Sequence, residues 1–342
     1  MKRRSSFSMP LRLFWIAAVC GTMLLCVCVG SVAIPLSETL LVLRDLLSGT
    51  APTSTFGSIL LSIRLPRVLC VALVGASLSV CGCAMQGLLR NPLADGSTLG
   101  VSAGASLGAV LALALGFQIP GLRYGATMLS AMFFAFLSLL LILSLAYLLD
   151  RTLETTSIIL IGVIFSMFAS SVMSLVITFA GERIRSITFW TMGSLSGSTY
   201  VQAIVLTAAL LICYGILRLH AVELNAFAIS EENALHIGVP VRRVKLIVLI
   251  TVSVLIGVCV SIGGSISFVG LVVPHMLRML TGPNHERLLP SSLYGGAVFL
   301  MLSDLTGRTI LSPVELPIGV VTSLVGAVVF VVIFYRTRKG RA

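Results

Sequence analysis

Ten apolar runs follow one another along the chain, at residues 13–34, 65–89, 99–117, 124–149, 156–180, 200–219, 245–262, 269–280, 289–307 and 316–334. A helix crosses a bilayer in about 20 apolar residues, and inside the bilayer every backbone amide must find its partner within the segment. Of 342 residues, 57% are apolar and only 10% are charged, too few to cover a water-soluble globule. The sequence predicts an all-α, polytopic membrane protein of about ten transmembrane helices, one transmembrane unit over 1–342 with lipid as its solvent. A soluble enzyme, a disordered chain and a disulfide scaffold are excluded. Two runs are unusual. The third is rich in glycine. The eighth is short, follows Gly263-Gly264 and carries Gly270 and Pro274. Short or broken helices survive in a membrane only where protein or an aqueous cavity satisfies the freed backbone, which points towards transport.

The net charge of +11 falls in the gaps between runs, so it reads as bilayer orientation and argues against a nucleic-acid partner. With the N-terminus inside and strict alternation, 16 of the 23 Lys and Arg lie inside. The other 7 are Arg44, Arg64, Arg67, Arg123, Arg183, Arg185 and Arg308. Gaining or losing one helix would scramble this asymmetry, so both termini are expected in the cytoplasm. The basic start and Ser31-Val-Ala33 mimic a signal peptide. The first run exceeds the usual core of roughly 7–15 residues and more spans follow, so it reads as a retained helix. The eight cysteines lie inside apolar runs without metal-ligand spacing, and no metal or cofactor is expected.

The longest inside gap contains the segment 229–241, Ile229-Ser-Glu-Glu-Asn-Ala-Leu-His-Ile-Gly238-Val-Pro240-Val. Ser230 can cap a helix, Glu231 and Glu232 suit its first turn, and Gly238 and Pro240 stop it. A capped helix with a defined stop is more than a connector needs, and it reads as a docking element. In the third run Gly100, Gly104 and Gly108 recur every four residues, a small-residue face for close helix packing.

The chain shows no energy source of its own. Its three lysines, Lys2, Lys245 and Lys339, follow no phosphate-binding glycine loop. Every acidic residue maps to a gap or a run end. Asp304 is the deepest, one turn before Arg308, where an i,i+4 pair is expected. A stand-alone ion-coupled transporter would need a buried carboxylate or histidine relay. A receptor or scaffold would not require the glycine-rich breaks. Transport driven by a partner's ATPase fits best.

Five stretches, in order, carry a resemblance. They are Arg64-Leu-Pro-Arg67, Met85-Gln-Gly-Leu-Leu-Arg-Asn-Pro-Leu-Ala-Asp95 running into Leu99-Gly-Val-Ser-Ala-Gly104, Trp190-Thr-Met-Gly-Ser-Leu-Ser-Gly197, Phe268-Val-Gly-Leu-Val-Val-Pro-His275, and Glu315-Leu-Pro-Ile-Gly-Val-Val321. From about residue 60 onward the chain resembles the FecCD-type permeases, membrane subunits of bacterial ABC importers for ferric siderophores, haem and cobalamin. The resemblance implies a homodimer, or a pair with a similar permease, in the cytoplasmic membrane, with cargo crossing at the subunit interface. It implies two copies of an ABC ATPase subunit below and an extracytoplasmic substrate-binding protein above. Arg64, Arg67 and Arg308 correspond to arginines that meet acidic residues of the binding protein. Ile229, Ser230, Glu231, Glu232, Ala234, Leu235, Gly238 and Val239 fall in the segment seated in the ATPase. Asn91, Leu93, Thr155 and Thr156 match a cytoplasmic gate, although Asn91 before Pro92 suits a turn and either threonine could cap the next helix. The expected cargo is a ferric siderophore, with haem or cobalamin as alternatives.

Overall fold

A computed structural model describes residues 9–30, 34–49, 56–120, 125–151 and 154–339. Ser31-Val-Ala33, Lys2, Arg3, Arg4, Arg123 and Arg341 lie outside the described residues. Fourteen helices and short turns make up the described chain. They begin with α1 (Met9–Cys28), α2 (Leu36–Leu47) and α3 (Gly57–Leu88), the last with a π-helical turn over Leu60–Arg64. Next come α4 (Val101–Leu115), α5 (Gly125–Leu149), α6 (Thr155–Thr178), α7 (Ile184–Thr191) and α8 (Tyr200–Leu219). The short helices α9 (Ala221–Ile229) and α10 (Glu231–His236) precede α11 (Val241–Gly263), α12 (Val269–Thr281), α13 (His285–Thr309) and α14 (Ile318–Lys339).

Each of the ten apolar runs is a helix. Seven are long and apolar enough to cross a membrane, whereas α4, α12 and the apolar part of α14, Ile318–Ile333, are shorter. Four helices lie outside the runs, α2, α7, α9 and α10, and only the capped turn that is α10 is anticipated by the sequence. The protein has two ends. Arg64, Arg67 and Arg308 mark one, here the arginine end, and α9 and α10 mark the other, the short-helix end.

Local sequence explains several boundaries. α8 opens with a reciprocal capping box, in which Thr199 Oγ1 accepts from the Gln202 amide (3.3 Å) and Gln202 Oε1 accepts from the Thr199 amide (3.0 Å). α12 is preceded by Phe268, a non-glycine residue held at φ +70°, a strained conformation that persists only when its surroundings over-determine it. Gly326 of α14 makes the room: a Cβ there would fall 2.5 Å from the Phe268 Cβ.

Packing depends on backbones that touch. Gly75 of α3 and Gly296 of α13 face each other so closely that a Cβ on either would strike the other's carbonyl oxygen. A Cβ on Gly82 of α3 would strike the carbonyl oxygen of Gly270 of α12, and one on Gly270 would press on Leu78 O of α3 at 2.8 Å. Gly104 and Gly108 lie against Phe134 of α5, with carbonyl oxygens 2.9 Å (Phe134) and 2.5 Å (Ser130) from where a Cβ would sit. Gly100 departs from the expected three-glycine face. It precedes α4 with φ +75°, and a Cβ there would press on Gly162 O of α6 at 2.9 Å. Its freedom of φ, rather than a place on the helix face, is what the fold uses.

Candidate functional site

Three features stand out: a charge cluster at the arginine end, a hydroxyl-lined groove at mid-depth, and an apolar surface at the short-helix end.

At the arginine end α1 finishes inside the protein with its last carbonyls unpaired by helix geometry. Arg64 donates to the carbonyls of Val27 (2.8 Å) and Cys28 (3.1 Å), and Arg308 donates to that of Cys26 (3.2 Å). Cations at a helix C-terminus also oppose its negative dipole end. Arg308 pairs with Asp304 one turn earlier (2.9 Å), as the spacing predicts, and Asp304 is shared with Arg67 (2.9 Å). Arg67 reaches on to Glu315 (2.9 Å) in the loop before α14. The expectation that all three arginines face a partner needs correction. Arg64 and Arg308 are only 5% and 3% exposed and are engaged within the chain, so in this structure they tie α1, α3 and α13 together. Arg67, Asp304 and Glu315 border a small hollow, of about 180 Å³, with Ser194 and Ser196.

A groove of about 660 Å³ runs between α4 and α6. Ser102 and Ser106 line it from α4, Ser166, Ser170 and Ser171 from α6, and Ser265 from the link before α12, with Met167 and Val163 between them. Ser166 and Ser171 donate to carbonyls of their own helix at 2.8 and 2.9 Å. The hydroxyls of Ser102, Ser106, Ser170 and Ser265 make no hydrogen bond to another described residue, so they remain available to a guest. Ser265 also borders a second hollow, of about 320 Å³, with Thr191, Ser267 and Ser323. Among the described residues no histidine, cysteine and carboxylate group could hold a metal ion. The groove can offer weak, neutral hydrogen bonds to a large polar solute and can release it again.

A crevice off this groove is lined by an acidic residue from one of the sequence gaps. After α3 the chain turns back into the protein, and Asp95 lines the crevice together with Ser102, Ser265, Ser267 and Gly270. No local pattern signals this depth, because Asp95 lies in a polar gap of the sequence.

At the short-helix end Ser230 ends α9 and caps α10, its Oγ accepting from the Asn233 amide (2.9 Å). Glu231 pairs with the buried Lys245 of α11 (2.5 Å), and Gly238 takes φ +85° in open space. α9, which sequence reasoning missed, is fixed from the other side. Asn225 Oδ1 accepts from the His285 amide (2.7 Å) and its Nδ2 donates to Asn284 Oδ1 (3.0 Å), at the start of α13. Ala234 is buried, while Ile229, Leu235 and Ile237 are 73%, 58% and 69% exposed. The four residues expected at a gate lie at this same end. Asn91 Oδ1 accepts from the Leu93 amide (2.9 Å) in a turn, and Leu93 is exposed. Thr155 is buried inside the first turn of α6, Thr156 is exposed, and neither caps it, since Glu154 holds that position.

Comparison with known proteins gives a consistent picture. The FecCD transport family profile matches residues 17–336. An uncharacterized ABC transporter permease protein of Bacillus subtilis, YvrB, is 42% identical over 83% of this chain and 81% of its own. The hemin transport system permease protein HmuU of Yersinia pestis is 36% identical over 86% of this chain and 88% of its own. A solved structure, described as an inward-facing conformation of a metal-chelate type ABC transporter, superposes with a TM-score of 0.81 at 30% identity, covering 96% of this chain and 99% of that one. Other relatives are named as permeases for molybdate and for vitamin B12.

Proposed function

The chain belongs to the FecCD transport family and is a permease subunit of an ABC importer of that type, and from that premise we propose that it carries an iron chelate, a ferric siderophore, across the bacterial cytoplasmic membrane. The observation that carries the reading is the open serine groove. A strip of polar hydroxyls at mid-membrane depth is costly against lipid. A second copy of the chain, or a similar permease, placed across α4 and α6 turns it into a closed path with hydroxyls on both walls. Hydroxyls and methionines suit a bulky chelate that must not be stripped of its metal, because they compete poorly for a hard ferric ion. Haem and cobalamin are the competing cargoes.

The ends divide the remaining work. Two ATPase subunits dock on α9 and α10, whose exposed Ile229, Leu235 and Ile237 form an apolar surface on an otherwise polar segment. This side and both termini face the cytoplasm, in line with the excess of basic residues there. An extracytoplasmic binding protein docks at the arginine end, where Arg67 and Glu315 form the rim, and Arg64 and Arg308 hold that rim in place from beneath. Asn91, Leu93, Thr155 and Thr156 close the groove towards the cytoplasm. The test is reconstitution into proteoliposomes with the ATPase and the binding protein. ATP-dependent uptake of radiolabelled ferric siderophore by a complex holding two copies of this chain supports the reading. Uptake of haem or cobalamin alone replaces the cargo, and transport by a lone copy without ATPase overturns the reading.

A further inference from the structure

One wall of the serine groove is tied to the rest of the protein at very few points. α4 and α6 run side by side towards the arginine end, where Phe189 of α7 lines the hollow beside Arg67. At the other end of the groove their backbones meet, with Gly162 O 2.9 Å from where a Cβ on Gly100 would sit. Beyond that contact Ser166, Ser171, Ser174 and Thr178 of α6 donate to carbonyls of their own helix, and Thr188 and Thr191 do so in α7. Among the described residues a single hydrogen bond from α6, α7 and the turn between them reaches another helix. Arg183, in that turn, donates from Nη1 to Ala114 O of α4 (2.7 Å). Its seat is built for it. α4 ends on Gly116 at φ +72°, where the amides of Gly116 and Phe117 turn back on Leu113 and Ala112 and leave the Ala114 carbonyl to the side chain. A Cβ on Gly116 would fall 2.5 Å from both terminal nitrogens of Arg183 and 2.7 Å from its Cζ, so the guanidinium rests on bare backbone. A cation there also opposes the negative end of the α4 dipole. The neighbouring Arg185 lies over Phe189 of its own helix instead (5.9 Å).

We propose that Arg183 is a positioning residue for transport: it latches the outer end of α6 to α4 and so sets the width of the groove's mouth at the arginine end. The latch rests on geometry alone; its use in transport rests on the importer reading above. α6 touches α4 at Gly162 and is latched beyond Thr178, about 16 residues on, roughly 24 Å at 1.5 Å per residue. The groove serines of α6 lie between the two points. With the latch released, a tilt of about 10° about the Gly162 contact carries the tip of α6 about 4 Å away over that length. An exposed side chain exchanges such a bond with water at little net cost. The latch therefore holds a resting width that a docked partner or a passing cargo can overcome.

Distances between spin labels test the latch without any cargo. The full-length chain carries Cys20→Ser to remove its exposed native thiol. It is held in lipid nanodiscs and diluted with unlabelled copies, so that only pairs within one chain are read. One pair, Phe179→Cys with Ile310→Cys, joins the tip of α6 to the end of α13. A second, Leu115→Cys with Ile310→Cys, joins α4 to the same point. All three positions are exposed. We expect Arg183→Ala to lengthen or broaden the first distance distribution by about 4 Å and to leave the second unchanged. Gly116→Ala pushes the guanidinium off its seat while keeping Arg183. It should shift the first pair in the same way, and it covers the case in which Arg183→Ala does not fold. Arg185→Ala should change neither distance. A first distance indifferent to both Arg183→Ala and Gly116→Ala overturns the proposal. So does an equal shift in Arg185→Ala or in the second pair. In transporter reconstituted with its ATPase and binding protein, uptake of radiolabelled ferric siderophore per ATP hydrolysed should fall about threefold in Arg183→Ala. Simple loss of folded protein would lower both rates and leave that ratio alone. Distances that behave as expected in a chain that carries no siderophore would retain the latch and reject its use in transport.

Discussion

The arginine end and the short-helix end solve opposite problems. At the arginine end, Arg64, Arg67, Asp304, Arg308 and Glu315 find their partners within one chain, and the acceptors include the last carbonyls of α1. At the short-helix end the scaffold is equally well fixed, by Ser230, Glu231–Lys245 and Asn225–His285, but it presents Leu235 and Ile237 to solvent with nothing on them. Charge near a membrane surface is thus a poor guide to docking when a helix terminus lies close enough to absorb it. Exposed apolar side chains on a rigid, polar-flanked element are the better sign.

The largest expected effect breaks the self-contained end. Asp304→Ala leaves both Arg67 and Arg308 without their shared carboxylate in a buried site, and removal of one partner from such a pair costs about 3–5 kcal/mol. The thermal unfolding midpoint of the detergent-solubilised protein should fall accordingly, and membrane yield with it. Leu235→Asp with Ile237→Asp should do the reverse. Unfolding should stay within about 0.5 kcal/mol of the parent, while retention of the ATPase on affinity purification drops at least tenfold, about 1.4 kcal/mol. Equal loss of stability in this double variant would erase the contrast between the ends. Gly238→Val comes next. A β-branched residue at φ +85° costs about 1–3 kcal/mol with no steric clash around it. The strain should be local, visible as faster amide exchange at the end of α10 and as partial loss of ATPase and of uptake. The smallest effect is Glu315→Gln. Glu315 is partly exposed, so its pair with Arg67 is worth about 1 kcal/mol or less. A stability loss that shrinks further in high salt would place Glu315 on the rim rather than in the cluster. Charge reversal at Arg64 is a poor probe of docking, since it would set a carboxylate against the carbonyls of Val27 and Cys28.

Much of the fold was legible because membrane spans announce themselves by length and apolarity, and all ten runs became helices. The α10 cap, Glu231 in its first turn and the stop at Gly238 were legible because helix ends are coded by two or three local residues. What was not legible depends on contacts distant in sequence. Arg64 reads as an outer charge until α1, 36 residues away, presents its carbonyls. Asp95 reads as a polar loop residue because its depth is set by Gly270 and Ile256, far along the chain. α9 was hidden because Ala221–Ile229 continues the previous apolar run after a one-residue break at His220. The serines of the groove, spread over α4, α6 and the link at Ser265, have no common motif that a linear reading could gather.

The facing glycines of α3 and α13 have a mechanical consequence. Two rods interlocked backbone to backbone share a load and allow no slip, since sliding by a single residue would drive a side chain into a carbonyl. α13 begins where Asn225 of α9 grips it and ends at Asp304 and Arg308. Thrust delivered to α9 therefore reaches the far end of the molecule as displacement, with little slack lost on the way. The loosely packed helix is α6, which is largely exposed and borders the serine groove. On the proposed importer reading, stroke and aperture fall to different helices, a tightly packed strut for the one and an exposed wall for the other.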